Sequence, residues 1–292
     1  MSHRIQRTRH ACVNHPRRGR SRVPPQPPAR LLATTRDPNP QPFRLQRQRQ
    51  GSTLPRSVKP DISHFRERLD QIRGRIAQAA TRSARASAQV TLIAVTKTVP
   101  ADVVAAAVAE GILDLGENRV QEAESKIALE GLAGVRWHLI GHLQGNKAGR
   151  AVALFDRIHS LDSLALAESL SRRAIAAGRR MPVLVEVNVS GEATKFGVTP
   201  NDLAALAEQV APLEGLAFDG LMTVGAPVER PEDARPGFAR LRELRDRTAL
   251  ALGRPLPQLS MGMSGDFEVA VEEGSTMVRV GAALFGARGP GQ

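Results

Sequence analysis

The chain has 292 residues, and its 41 lysines and arginines outnumber its 29 aspartates and glutamates, which gives a formal net charge of +12. Residues 1–60 hold 14 basic residues and one acidic residue, which leaves 27 basic and 28 acidic residues for 61–292. No apolar stretch approaches the roughly 20 residues of a membrane span. The single cysteine, Cys12, excludes a disulfide framework and a thiolate metal site from residues 61–292. We therefore expect a soluble, cytoplasmic protein.

Residues 1–60 predict a disordered basic extension. They contain 10 of the 20 prolines and no apolar periodicity, so they cannot bury enough surface to offset the entropy of ordering. Three explanations of this extension remain open: an arm that binds nucleic acid or anionic membrane, an organelle transit peptide, and an over-extended translation start. We favour the start-site artefact, with the native start near Leu54 or Val58. Nucleic-acid binding is the weaker alternative, because bases need aromatic side chains to stack on and Phe43 is the only one here.

A helix precedes the rest of the fold. Apolar residues recur there at spacings of 3, 4, 3 and 4: Ile62, Phe65, Leu69, Ile72 and Ile76. The spacing predicts an amphipathic helix over 62–79 behind a cap at Asp61.

Beyond that helix, eight short β-rich runs alternate with helical patterns. The predicted strands are 90–96, 112–116, 135–141, 156–160, 182–189, 216–223, 257–261 and 277–281. The predicted helices are 102–110, 119–129, 146–153, 163–178, 200–210, 232–252 and 266–273. This alternation implies parallel pairing, and eight strands close an α/β (β/α)₈ TIM barrel. An open doubly wound sheet is the alternative, but no G-x-G-x-x-G follows the first strand. We assign 61–288 to the barrel and 289–292 to a C-terminal tail.

The unusual residues of the chain follow the predicted strands, where barrels carry their chemistry. Lys97 ends the apolar run 90–96. Burial disfavours an ammonium group and leaves a neutral amine that attacks aldehydes, so Lys97 is a candidate for imine formation. The alternative is a lysine that reaches past the strand end to solvent.

The last two units predict a site for a phosphate monoester. We expect Ser264-Gly265 to open a helix, and strand 277–281 to present backbone amides near Gly281. This is the place where barrels bind phosphate. Arg279 lies inside an apolar strand and must be paired or serve a ligand. A lysine, a phosphate site and an arginine beside a ring together describe pyridoxal phosphate (PLP).

Other roles are open for several of these residues. Four polar residues that follow strands could each be a helix cap: Asn118, Ser160, Asp162 and Ser264. His138 and His142 could share a metal ion, but no carboxylate or cysteine lies at ligand spacing. We expect them to be hydrogen-bonded histidines instead.

Seven ordered motifs resemble the YggS/PROSC family of pyridoxal phosphate homeostasis proteins. The motifs are LIAVTK (92–97), GENRVQE (116–122), HLIGHLQGNK (138–147), VNVSGE (187–192), KFG (195–197), SMGMSGD (260–266) and RVGAALFG (279–286). The resemblance covers roughly residues 61–288. It implies a barrel like the N-terminal domain of alanine racemase, and a protein that holds PLP in intracellular vitamin B6 homeostasis without robust catalysis. It also implies apo PLP-dependent enzymes as recipients of the cofactor.

The resemblance further implies the site residues. It places the PLP aldimine on Lys97, phosphate contacts at Ser264 and at the amides near Gly281 and Ala282, and Arg279 against the pyridine nitrogen. Four more residues at strand ends are cofactor-binding candidates: Asn118, Met222, Ser260 and Met263. Lys195, in a glycine-flanked loop, is a candidate for a weaker second contact with the cofactor.

Two features argue against robust turnover. The chain contains no tyrosine, so the tyrosine base of alanine racemase is missing. The guanidinium of Arg279 stays protonated and favours an unprotonated ring nitrogen, which weakens the electron sink that carbanion chemistry needs. An amino-acid racemase or other PLP-dependent enzyme is the alternative, and a Schiff-base aldolase acting on phosphosugars is a third interpretation.

We predict that deleting residues 1–57 leaves folding and PLP binding unchanged, because the remainder is nearly neutral and contains every site candidate. Thermal unfolding and PLP titration of the truncated and full-length chains check this. A nucleic-acid arm would instead give binding that falls steeply with salt. An intact N-terminus at Met1 or Ser2, found by mass spectrometry of the protein from its own cells, would contradict the start-site interpretation.

Overall fold

The computed structural model describes residues 63–128, 132, 134–192 and 194–286. The predicted extension 1–60, the cap at Asp61 and the tail 289–292 lie outside the described residues. Within them, eight parallel strands form a closed barrel in sequence order. The strands are β1 (Thr91–Val95), β2 (Asp114–Glu117), β3 (Arg136–Leu139), β4 (Arg157–Leu161), β5 (Met181–Glu186), β6 (Leu216–Met222), β7 (Gln258–Ser260) and β8 (Met277–Val280). The predicted (β/α)₈ barrel is confirmed.

Helices surround the barrel. They are α1 (Ser63–Arg82), α2 (Ala101–Ala109), α3 (Val120–Ile127), α4 (Ala148–Leu154), α5 (Leu164–Ala176), α6 (Leu203–Val210), α7 (Arg235–Ala251), α8 (Phe267–Glu272) and α9 (Ala282–Phe285). All predicted helices are present, although α6 and α7 begin three residues later than predicted. A 3₁₀ turn over Pro231–Ala234 precedes α7. A hydrogen bond of 2.7 Å between Thr199 Oγ1 and Asp202 Oδ2 forms a separate turn before α6. The four-residue α9 was not predicted.

The packing follows from the alternation of side chains along each strand. One face of every strand packs against the helices in the main core, which includes Trp137, the only tryptophan. The other face fills the barrel interior, where a small apolar cluster consists of Ile93, Leu184, Met222 and Met277. Helix α1 packs on α8 and α9, with an ion pair between Arg75 and Glu268. Of the helices described, none has the length and apolar character to cross a membrane.

Strands β6 and β7 approach each other closely at Gly220, which is in register with Gln258. A Cβ atom at Gly220 would lie 1.9 Å from the backbone oxygen of Gln258. This is far inside van der Waals contact, and the obstacle is backbone that cannot rotate away. The barrel therefore requires glycine at this position.

We predict that Gly220→Ala lowers the free energy of unfolding by about 2 kcal/mol or more, because the added methyl group overpacks the barrel wall. Denaturant unfolding measures the change. Gly74→Ala is the matched control: Gly74 lies on the exposed face of α1 with no atom within 4 Å of the added Cβ. That substitution should stabilise the protein by about 0.5–1 kcal/mol. Equal stability of the two variants would contradict the packing argument.

Candidate functional site

A cavity of about 340 Å³ opens at the carboxyl ends of the strands. The described residues that line it are Val95, Lys97, Asn118, Ile140, Val224, Met263, Ser264, Gly265, Arg279, Gly281 and Ala282. Seven of the nine predicted cofactor residues are therefore brought together. Met222 and Ser260 do not line the cavity: Met222 belongs to the apolar cluster inside the barrel, and Ser260 is fully buried.

Lys97 lies in the turn that follows β1, and the backbone on both sides of it is constrained. On one side, Thr96 donates its backbone N–H to the oxygen of Gly116 at 3.0 Å. On the other, Thr98 has a φ of +60°. This left-handed conformation is rare for a β-branched residue and is found where the surroundings enforce it. The position of Lys97 at the cavity is thus set by a strained, well-anchored turn.

A buried ion pair forms that anchor, and the sequence did not indicate it. Lys126 Nζ donates to the backbone oxygen of Thr96 at 2.5 Å and to Glu117 Oε1 at 2.6 Å. The hydroxyl of Thr96 donates to the same Glu117 oxygen at 2.6 Å. Burial raises the pKa of Glu117, and the hydrogen bonds from Lys126 and Thr96 oppose that shift. A lysine on α3 and a carboxylate on β2 therefore hold the residue that precedes Lys97.

The loop after β7 presents the Ser264 hydroxyl. Ser264 Oγ accepts hydrogen bonds from the backbone N–H of Gly281 at 3.3 Å and of Ala283 at 3.2 Å. The loop is closed by Asp266, which accepts from the backbone N–H of Met263 at 2.6 Å. Helix α8 begins only at Phe267, so the prediction that Ser264-Gly265 opens a helix is wrong. The serine instead joins the loop after β7 to the turn after β8.

Gly262 makes this loop possible. Its φ is +92°, and a Cβ atom there would lie 2.5 Å from the Cβ of Ala270 on α8. Both the backbone conformation and the close approach of the helix require glycine.

Arg279 lies in the interior of the barrel and is 4% exposed. Its Nη1 donates to Ser260 Oγ at 2.6 Å and its Nη2 to the backbone oxygen of Thr223 at 2.8 Å. Burial lowers the pKa of Arg279 to about 10, while Glu186 and Asp266 favour the charged form. The guanidinium is therefore still protonated at neutral pH, and none of its described hydrogen bonds is to a carboxylate.

Acidic residues occupy the opposite side of the barrel mouth. Glu186, at the end of β5, is 6% exposed, and its side chain has no hydrogen bond among the described contacts. Burial and the nearby Asp162 raise its pKa to about 7, against the opposing effect of Arg279. Asp162 Oδ2 lies 3.2 Å from His142 Nδ1, and the His142 ring stacks on Phe196 at 4.0 Å. Sequence reasoning missed Glu186, because nothing in the sequence distinguishes it from other polar residues of a strand.

The helix-cap alternative is wrong for Asn118, Ser160 and Asp162, and Ser264 does not cap α8, the helix that follows it. The residues at the N-caps of the helices that follow are Arg119, Ser163 and Asp266, and none of them makes a side-chain capping bond. Ser160 instead donates its hydroxyl to the backbone oxygen of Gly141 at 2.7 Å. The metal alternative has no support either, since the described residues contain no group of three or more metal-ligating side chains.

Comparisons with known proteins agree with this fold. The family model of the alanine racemase N-terminal domain matches residues 68–289. A pyridoxal phosphate homeostasis protein of Aquifex aeolicus is 45% identical over 223 residues, which are 76% of this chain and 97% of that protein. The structure of PipY from Synechococcus elongatus with PLP bound is 38% identical with a TM-score of 0.68, covering 76% of this chain and 100% of PipY. An alanine racemase of Clostridium difficile is 16% identical with a TM-score of 0.62, covering 79% of this chain and 58% of the racemase chain. At this identity the likeness shows the fold alone.

We predict that Glu186→Gln stabilises the protein above neutral pH. The pKa of Glu186 rises from 4.5 in the unfolded chain to about 7 in the folded one, so folding favours the protonated carboxyl. Its stabilising contribution is complete below pH 4.5 and is lost as the pH rises through 7. At about 1.4 kcal/mol per pKa unit, the glutamine variant should be more stable than the wild type at pH 8 by about 1–3 kcal/mol.

Denaturant unfolding between pH 5 and pH 8 measures this difference. Glu208→Gln, at an exposed position of α6, is the matched control and should leave the pH profile unchanged. If the Glu186→Gln profile runs parallel to that of the wild type across this range, the carboxyl does not titrate there and the argument is wrong.

Proposed function

The chain belongs to the family of the pyridoxal phosphate homeostasis proteins, and we propose that it binds PLP through Lys97 and serves intracellular PLP homeostasis without robust catalysis. The observation that carries the proposal is the convergence of Lys97, Ser264 and Arg279 on one cavity at the carboxyl ends of the strands. PipY, a relative of this chain, has been solved with PLP bound.

The donor set fits the chemistry of the cofactor. PLP supplies an aldehyde that condenses with a primary amine, together with a phosphate and a ring nitrogen. Lys97 provides the amine. The Ser264 hydroxyl and the backbone N–H of Ala282 provide neutral donors for a phosphate, while the N–H groups of Gly281 and Ala283 hold the Ser264 oxygen in place. Arg279 provides a charged donor for the ring nitrogen. Asn118 and Met263 form walls of the same cavity.

Met222 and Ser260 have a different role in this proposal from the one the sequence suggested. Both lie deeper than the cavity lining, so they support the site rather than touch the cofactor. Met222 fills the barrel interior. Ser260 accepts a hydrogen bond from Arg279.

The same cavity supports binding over turnover. Of its described lining residues, only Lys97 and Arg279 carry titratable side chains, so the lining offers no second acid or base for racemisation. The chain contains no tyrosine to supply one. With a pKa of about 10, Arg279 remains a donor at neutral pH and favours an unprotonated ring nitrogen. We therefore propose a carrier, with apo PLP-dependent enzymes as the recipients.

Lys195 is our proposed second contact during transfer of the cofactor. Its Nζ lies 2.8 Å from Glu192 Oε1, and its side chain is 20% exposed. It follows β5 in the loop that also carries Phe196, whose ring stacks on His142. This places the lysine at the same end of the barrel as the cavity.

We predict that Lys97 forms the covalent link to PLP. The purified protein with added PLP should absorb near-visible light, and borohydride reduction followed by peptide mapping should label Lys97. Lys97→Ala should lose both the absorbance band and the label. Lys147→Ala, which removes another lysine at the same end of the barrel but outside the cavity lining, should keep them. A full-strength band in Lys97→Ala would show that the assignment is wrong.

Two further outcomes separate the alternatives. A protein that forms a reducible link with a phosphosugar and shows no PLP band would be an aldolase. Fast exchange of the α-hydrogen of alanine by the PLP-loaded protein would make it a racemase.

A further inference from the structure

A continuous chain of polar groups crosses the interior of the barrel. Arg279 Nη1 lies 2.6 Å from Ser260 Oγ, which lies 2.9 Å from His159 Nδ1. His159 Nε2 lies 3.0 Å from His138 Nδ1, and His138 Nε2 lies 3.0 Å from Asp114 Oδ1. All five side chains belong to residues no more than 8% exposed. The contacts join Arg279, near the carboxyl end of β8, to Asp114, the first residue of β2.

We infer that Asp114, His138 and His159 are positioning residues for Arg279: they act through Ser260 to orient the guanidinium toward the cofactor cavity. The inference deepens the proposed function and rests on it, because it concerns the residue proposed to meet the ring nitrogen of PLP. None of the three residues lines the cavity.

With both imidazole rings neutral, the carboxylate end of the chain sets the direction of its hydrogen bonds. Arg279 can only donate. At the other end, hydrogen bonds from His138 and Arg136 outweigh the effect of burial and lower the pKa of Asp114, so its carboxylate can only accept. His138 therefore donates from Nε2, and when its ring is neutral its Nδ1 accepts from Nε2–H of His159.

The same logic sets the orientation of the serine. Burial lowers the pKa of His159 well below its ordinary value, so that ring is neutral. Its Nδ1 is then an acceptor, and the hydroxyl hydrogen of Ser260 must point toward it. The lone pairs of Ser260 are left facing Arg279. The Asp114 carboxylate thus fixes the orientation of the Ser260 hydroxyl, which lies three hydrogen bonds away.

This arrangement matters because the guanidinium has few other constraints. Its second described contact is the backbone oxygen of Thr223, and it lines the cavity. If the hydroxyl of Ser260 turned its hydrogen toward Arg279, donor would face donor and the arginine would move or lose the contact. The orientation of the Arg279 guanidinium at the cofactor cavity therefore depends on the negative charge of Asp114 at the opposite end of the barrel.

Asp114→Asn tests the inference without touching the cavity. The amide has the shape of the carboxylate, but it can donate to His138 and so reverse the order of donors. Arg136→Met is the matched control: Arg136 forms the ion pair with Asp114 at 2.5 Å, and its side chain is half exposed. Both variants lose that ion pair, but only Asp114→Asn loses the carboxylate at the end of the chain.

PLP affinity and the pH profile of the near-visible absorbance band are the readouts, with denaturant unfolding as the measure of structure. We expect Asp114→Asn to raise the dissociation constant for PLP roughly 3–10-fold, the effect of about one hydrogen bond, and to shift the pH profile of the band. Arg136→Met should keep wild-type affinity and profile. Arg279→Leu, which removes the oriented group itself, should show the largest loss of affinity.

His138→Gln is the second variant, in case Asp114→Asn does not fold. Its amide nitrogen can still donate to Asp114, while its amide oxygen is not held at the position of Nδ1, so the variant should reproduce the loss of affinity and the shifted profile. The inference is overturned if either folded variant binds PLP with the affinity and pH profile of Arg136→Met. Failure of the wild type to bind PLP would instead refute the proposed function.

Discussion

A closed barrel gives its inward-facing polar groups little water to bind, so a group without a partner inside the barrel is costly. Because of this constraint, the apolar and the polar side chains of the barrel interior form two separate groups. Ile93, Leu184, Met222 and Met277 form an apolar cluster, while five polar side chains connect to one another from Asp114 to Arg279. An arginine at this depth is tolerated because a serine and a backbone oxygen receive its hydrogen bonds, and the serine is in turn satisfied by a histidine.

The two sides of the barrel mouth carry opposite charges. Lys97 and Arg279 lie on the side formed by β1 and β8. On the other side, Asp162 follows β4 and Glu186 ends β5. An anionic ligand meets cationic and neutral donors on the first side. The acidic side opposes a second anion and holds a proton on Glu186 near neutrality. At the described barrel mouth, the donors available to an anion therefore lie on the side of β1 and β8.

The sequence predicted the barrel because strand and helix periodicities are local, and eight alternating units allow few other folds. It also predicted that Lys97 and Ser264 lie at the end of the barrel where the cavity opens, since both residues come directly after strands. It could not predict which strand residues meet inside. The contact between His138 and His159 depends on the register of β3 and β4, and the depth of Ser260 depends on the stagger of the whole barrel. Lys126 looked like an ordinary helix lysine because its partner, Glu117, lies on a neighbouring element.

Trp137 is the only tryptophan of a chain without tyrosine, and it is buried in β3 beside His138. Nearly all of the near-ultraviolet absorption and intrinsic emission of the molecule therefore arises from a single indole. That indole packs on the outer face of the strand whose inner face carries the histidine. A bound chromophore that absorbs near the tryptophan emission would quench this one emitter by energy transfer, so the protein carries its own optical reporter and needs no attached dye.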